Sequence, residues 1–367
     1  MHCLAALCVP IVRKQPDCTT ADMEIYLQQQ LRYAESSSGT TQGQVKMTYD
    51  FVTFGETMIR LTPPNFQRLE MASAFEAHVG GSESNTAVGI ARLGMRSAWV
   101  SRLTDNPLGR IISGTLAHWG VDTSHIVWTQ ADRVGTYYYE PERSPRPAQV
   151  IYDRAGSAFA RMIPDDVPVA LFQPGNARLL HMTGITIAAG VSAAAGRVLK
   201  LAQAAGWAFS FDVNHRARMI DTNTAREAYQ PFAEAANVLF ISENDARLVY
   251  NFAGQPNEIL RSLRDRFPQP AVIVLTRGAA GAVALTADGK TLPQSAFPAD
   301  GVDRLGRGDA FSAGFLYGYL SGYDTGLCLR WGAALAAAKF TIPGDLPLVD
   351  AGQMQALVAG APTRSFR

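Results

Sequence analysis

Apolar residues between about positions 49 and 280 fall into two alternating rhythms. Short, nearly continuous apolar runs predict strands at FVTFG (51–55), SAWVSRL (97–103), ARLLHMTG (177–184), WAFSFDV (207–213), VLFIS (238–242) and AVIVLTRG (271–278). Between several of them apolar residues recur at helical spacing, in SNTAVGIARLG (84–94), LGRIISGTLAHWG (108–120) and SAAAGRVLKLAQAAG (192–206). Strand, helix, strand is the wiring of a parallel sheet. Strands that are apolar throughout, rather than at every second residue, need cover on both faces. The expected class is therefore α/β, with a mostly parallel sheet in a three-layer α/β/α core.

Two stretches break this rhythm, about 58–80 and 128–155, where apolar and polar residues alternate as in TYYYEPE and AQVIYDR. Alternation of this kind predicts a small, half-exposed antiparallel sheet, read here as a lid. Residues 1–46 differ again, with Gln28, Gln29 and Gln30 followed by a Ser, Gly and Thr run. They read as an extension without a fold of its own, a short docking helix over 21–34 being the alternative. The main domain is expected over 47–355, with a tail from 356 to 367.

Composition narrows the class of ligand. Among 367 residues, Lys plus Arg number 33 and Asp plus Glu 32, so no net field favours nucleic acid or an anionic membrane. Cys3, Cys8, Cys18 and Cys328 lack the even spacing of a disulfide scaffold, which fits a reducing, cytoplasmic setting. The apolar stretch 4–12 contains Pro10 and is too short to span a bilayer, and neither a signal peptide nor a membrane helix is read. A small-molecule ligand is the expectation.

The densest chemistry lies in GVDRLGRGDAFSAGFLYGYLSG, where Gly301, Gly306 and Gly308 precede a helical run from Ala310 to Leu320. Glycines at a helix N-terminus let backbone N–H groups converge on an anion, which the helix dipole also favours. Asp309 follows at once, placed to take a proton from a hydroxyl as phosphoryl charge develops beside it. The same tetrapeptide also reads as a loop ending in a capping aspartate.

The segment DxxGxGDAFxAGF resembles the C-terminal signature of the PfkB, ribokinase-like family of carbohydrate kinases, with similarity running from about Tyr49 to Val349. The resemblance implies a ribokinase-like fold, ATP as phosphoryl donor with Mg2+, and Asp309 as general base. The backbone amides of Gly306, Arg307 and Gly308 would form the anion hole. HVGGSESNTAVGIARLG resembles the N-terminal signature, which implies sugar contacts from Gly80, Gly81 and Asn85. VIVLTRGAAG resembles the strand and turn beside the nucleotide, implying roles for Thr276, Gly278 and Gly281, and AAAKFTIPGD resembles the segment closing the adenine pocket, implying Lys339. The family's N-x-x-E element falls at ISENDA, where Ser242, Glu243 and Asp245 stand, so a water-mediated magnesium role passes to Glu243 and Asp245 with the asparagine missing.

Within the family, FGETMIRLTPP, GTYYY, VIYDRAGSA, FDVNHRARM and KFTIPGD look like the subgroup that phosphorylates 2-keto-3-deoxygluconate at its terminal hydroxyl. A carboxylate substrate calls for a donor fork, which arginine supplies. Arg154 and Arg216 are the implied partners, with Tyr137 and Tyr152 in the lid and Asn214 at the pocket edge. A neutral-sugar kinase of fructokinase or ribokinase type, and a catalytically impaired sugar sensor, stand as alternatives. The resemblance also implies a homodimer or higher homo-oligomer through the lid. One departure bears on all of this: the family usually carries alanine where Arg307 stands, a long cation that leaves the amides convergent if it points to solvent and that, if it swings over the site, either neutralises phosphate charge or blocks the sugar.

Overall fold

The structure, a computed structural model, describes residues 48–360; the extension read over residues 1–46 lies outside them. Its central sheet begins with β1 (Phe51–Phe54), β4 (Ser97–Thr104), β5 (Val121–Asp122), β6 (Ile126–Thr129) and β9 (Leu179–Thr183). It continues through β10 (Ala208–Asp212), β11 (Val238–Ser242), β12 (Val272–Thr276), β13 (Ala282–Thr286) and β14 (Thr291–Gln294). The spatial order is β14-β13-β12-β11-β10-β9-β1-β4-β5, with β6 also pairing β4. Every pairing is parallel except β12–β13 and β13–β14, which close one edge as a meander.

Burial explains the continuous apolar runs. Val52, Phe54, Leu180, Met182, Phe209 and Phe211 face one core, packed by α3 (Ser192–Ala204), α4 (Thr222–Ala235), α5 (Glu243–Tyr250) and α6 (Pro256–Arg266). Phe51, Trp99, Leu179, Phe240 and Val274 face the other, under α1 (Ser82–Arg92), α2 (Pro107–His118), α7 (Arg307–Leu320), α8 (Thr325–Phe340) and α9 (Ala351–Val358). Adjacent residues of one strand thus serve opposite cores, and both must be apolar. The last helix runs to Val358 with Met354 fully buried, so the tail expected from residue 356 begins later.

A second sheet of four strands, ordered β3-β2-β7-β8, comprises β2 (Met58–Thr62), β3 (Glu76–Gly80), β7 (Thr136–Glu140) and β8 (Gln149–Asp153). It occupies the two stretches read as a lid, with one correction: β2 and β7 pair in parallel, and only the β2–β3 and β7–β8 pairs are antiparallel. β8 is mostly exposed, whereas β2 is buried almost throughout. Among the described residues one helical stretch, Gly184–Ala204, is long and apolar enough to cross a bilayer. It is interrupted at Gly190 and packs Ala194, Ala195, Val198 and Ala202 into the core, as a core helix does.

Candidate active site

The C-terminal ends of β1, β9 and β10 and the N-termini of α1 and α7 meet at one place, where α/β sheets commonly bind ligands. Asp309 lies in the first turn of α7, its two carboxylate oxygens accepting hydrogen bonds from Ser82 Oγ at 2.6 Å and Asn85 Nδ2 at 2.7 Å. Both donors come from the first turn of α1. Asn85 in turn accepts the Gly81 N–H, and Asn214 Nδ2 donates to Ser82 Oγ at 2.9 Å. A chain from Asn214 through Ser82 to Asp309 therefore links the loop after β10 to the start of α7. Burial pushes the Asp309 carboxyl above its usual range, and the Ser82 and Asn85 hydrogen bonds and the charge of Arg216 draw it partly back. A carboxylate so held is directed and basic, as a general base requires.

Two glycines are required by geometry. A side chain at Gly81 would come within 2.2 Å of the Glu56 carbonyl, so only glycine lets α1 start this close to the end of β1. Gly306 has φ of 76°, and a Cβ there would lie 2.0 Å from the Asp345 carbonyl. Gly308 is different: a Cβ there would meet nothing within 4 Å. Packing does not demand glycine at 308, but close approach of a ligand to the backbone would.

That open side belongs to a cavity of about 560 Å³ lined by Thr276, Gly278, Gly281, Phe297, Pro298, Arg307, Gly308, Phe311, Ala336 and Phe340, among others. Its size and its mix of apolar walls with an amide-rich end suit a nucleotide. Lys339 is not part of it. Its side chain is fully buried and Nζ donates to the carbonyls of Asp303 at 3.2 Å and Ile342 at 3.1 Å, so the expected adenine-side contact gives way to a brace beneath the glycine loop. The cause is helical register: Lys339 falls on the inward face of α8, while Ala336, Ala337 and Phe340 face the cavity.

The residues expected to meet an acidic sugar are arranged unevenly. Arg216 is exposed beside Asp212, Asp245 and Asp309, its charge offsetting part of the rise that burial gives each carboxyl, and no carboxylate pairs with it among the described residues. Arg154, by contrast, is largely buried and ion-paired with Glu56, which also accepts a hydrogen bond from Ser157. Tyr137 and Tyr152 pair across β7 and β8 with ring centroids 5.8 Å apart. The Tyr137 hydroxyl is committed to Asp345 at 2.5 Å, however, leaving Tyr152 as the more open of the two. Gly80, beside them, sits against the Tyr137 hydroxyl and Asp345.

The metal expectation also changes. Glu243 is held by Arg247 at 2.6 Å and Arg277 at 2.9 Å, one arginine on each oxygen, so water at a metal would share it with two cations. Asp245 is buried, accepts the His215 N–H at 3.3 Å, and has its carboxyl raised by burial. Asp212, at the end of β10, was not singled out by sequence; burial and the charges of Asp309 and Asp245 push its carboxyl up to about 8. Among the described residues no three potential ligands converge as a ready-made cage.

Sequence reasoning also missed Arg60, on β2. Its guanidinium is 2 % exposed, bridges Asp303 and Asp345 at 2.7 Å each, and lies over the Tyr139 ring at 4.3 Å. Asp303 accepts N–H groups of Leu305 and Gly344 as well, so the lid and the glycine loop share one buried cation. The FGETMIR segment offered Arg60 as a conspicuous charge in an apolar run, a signal of pairing.

Comparison with known proteins places the chain in a family. The model of the pfkB family of carbohydrate kinases matches residues 49–349. A 2-dehydro-3-deoxygalactonokinase of Haloferax volcanii is 38% identical over 86% of this chain and 98% of its own length. A 5-dehydro-2-deoxygluconokinase of Geobacillus kaustophilus is 28% identical over 78% of this chain and 87% of its own. The crystal structure of a 2-dehydro-3-deoxygluconokinase from Thermotoga maritima superposes with a TM-score of 0.80 at 29% identity, covering 85% of this chain and all of that one. The chain belongs to the pfkB family of carbohydrate kinases.

Proposed function

We propose that this kinase transfers the γ-phosphoryl group of ATP to the terminal hydroxyl of 2-keto-3-deoxygluconate, yielding the 6-phosphate and ADP. The observation that carries the reading is the Asp309 carboxylate, fixed by Ser82 and Asn85 one residue beyond the open Gly308 backbone. In the reaction the hydroxyl oxygen forms a bond to the γ-phosphorus as the bond to the β,γ-bridging oxygen breaks. The hydroxyl proton passes to Asp309 and ADP leaves with the bridging oxygen. Amides at the start of α7 meet the charge on the transferring group. Arg216, without a carboxylate partner among the described residues, offers the substrate carboxylate a donor fork, Tyr152 is the lid tyrosine open to it, and Arg154, held by Glu56, supports the lid behind them.

The names of the relatives favour an acidic, deoxygenated keto sugar over fructose or ribose, and the galactonokinase similarity keeps the C4 epimer, 2-keto-3-deoxygalactonate, as a second reading. Asp212 and Asp245 are crowded carboxylates whose raised pKa a cation would relieve. They would hold the water shell of Mg2+ arriving with the nucleotide, where the ion neutralises phosphate charge. An ATP-dependent role favours the cytoplasm, where ATP is made and used. Exposed Phe66, Met71 and Ile151 on and beside the small sheet support a homodimer that covers it, which sedimentation would test.

The experiment is ADP release measured with both keto acids, fructose and ribose under saturating ATP and magnesium. Turnover confined to the keto acids, with phosphate on the terminal carbon by NMR, supports the reading; equal kcat/KM on fructose or ribose sinks the substrate assignment.

A further inference from the structure

The residue that breaks the family pattern occupies a definite place. Arg307 opens α7, and its guanidinium lies over the face of Phe340, 4.2 Å from the ring centroid, on the wall of the nucleotide-sized cavity. None of Ser82, Asn85, Asn214 or Arg216 lines that cavity, so Arg307 is turned away from the groups around the sugar. The guanidinium has no carboxylate partner among the described residues, and its Nε is buried with nothing to donate to. Its neighbour Arg304, on the same wall, is paired at 2.9 Å with Glu142, in the connection that follows β7. The cavity therefore carries one cation already answered and one that is not. Burial, and then the charge of Arg304, lower the Arg307 pKa, the stress an anion would relieve.

We propose that Arg307 is a nucleotide-specificity residue that binds the polyphosphate of ATP and ADP, adding a side-chain cation to the amide site at the start of α7. The inference rests on the kinase reading. Three features select phosphate as the occupant. The apolar part of the cavity, with Phe297, Pro298 and Ala336, suits a base, and Gly308 and Gly278 leave their backbone open at the other part. The guanidinium lies over Phe340 with no carboxylate on its terminal N–H groups among the described residues, which leaves that pair for bidentate contact. A sugar hydroxyl would leave the positive charge unneutralised, whereas a phosphate oxygen does not. Because ADP retains the contact, Arg307 acts on nucleotide binding before and after transfer rather than on the transfer step alone.

The test is calorimetric titration of ADP, AMP and adenosine into the full chain and into the Arg307→Ala and Arg307→Lys variants, with KM for ATP and for the sugar measured alongside. Arg307→Ala is expected to weaken ADP by about ten- to a hundredfold, the usual value of a charge-assisted contact. Adenosine binding and the sugar KM should stay within a few fold, and Arg307→Lys should regain part of the ADP affinity. Unchanged ADP affinity in Arg307→Ala, or a gain in turnover showing that the arginine obstructs, would overturn the proposal. A wild-type chain that binds neither ATP nor ADP would instead remove the kinase reading beneath it, a result separable from the first because it needs no variant.

Discussion

Replacing Arg60 by methionine deletes the buried cation while keeping an apolar stem against Tyr139. Burial alone would lower the Arg60 pKa, yet Asp345 and Asp303 more than offset it, so the guanidinium is firmly charged in the fold. Its removal leaves two carboxylates, 6% and 8% exposed, without a counter-ion. Breaking a buried pair from one side costs about 3–5 kcal/mol, mostly the penalty of the stranded charge. Asp303 keeps the Gly344 N–H and Asp345 keeps the Tyr137 hydroxyl, which places the expectation toward the lower end. With an unfolding entropy of roughly 2 cal/mol/K per residue over a domain of this length, that lower end corresponds to about 5 °C in Tm. Scanning calorimetry at low and high salt is the assay, since a buried network should lose the same amount at both. The backbone of Asp345 abuts Gly306, so kcat should fall too at temperatures where the variant is folded. A Tm within 2 °C of wild type, as for the ~0–1 kcal/mol of a surface pair, would refute the claim that Arg60 joins lid and loop.

Glu83 provides a pH test. Its Oε1 takes hydrogen bonds from Thr183 and Thr186, its Oε2 has no partner, and burial pushes its pKa from 4.5 up to about 7. Between those values the folded chain keeps a proton that the unfolded chain has lost, so stability falls as pH rises, by about 3 kcal/mol in all. Glu83→Gln, neutral throughout, should flatten that slope in chemical denaturation and unfold less readily than wild type at pH 8; parallel pH profiles would contradict this. Arg216→Ala should cut kcat/KM for the keto acid by roughly 30- to 100-fold, the value of a lost charged hydrogen bond, while a neutral sugar is barely affected. It should also move the acid limb of the rate profile upward, because Arg216 holds the Asp309 pKa down; equal losses on acidic and neutral sugars would show that its role is structural.

Much of the fold was legible because the two-sided burial of a parallel sheet writes itself as unbroken apolar runs: VLFIS is a strand over its whole length, Val238–Ser242. The glycine loop was legible for a local reason, since backbone convergence on an anion requires small residues in sequence. What was not legible depends on residues far apart. Arg60 meets Asp303 and Asp345 across most of the chain, and nothing in the FGETMIR segment names its partners. Ser82 lies inside a quoted motif, yet its role follows only from how α1 meets α7. Lys339 shows the opposite error: chemistry inferred from position in a motif is overruled by helical register, and nothing in the motif at Glu243 announced the two arginines that hold it. Alternation in the lid gave strands but not their directions, and so missed the parallel β2–β7 pair.

The central claim is that Asp309 takes the proton from the sugar hydroxyl. Asp309→Asn retains the shape and an acceptor for Ser82 or Asn85 but removes the basicity, and steady-state kinetics with the preferred keto acid test it directly. A fall in kcat of about 10²–10⁴-fold, the usual contribution of a general base, with KM for ATP and sugar changed by only a few fold and the Tm not lowered, is the result expected. Retention of more than about a tenth of wild-type kcat would contradict the assignment.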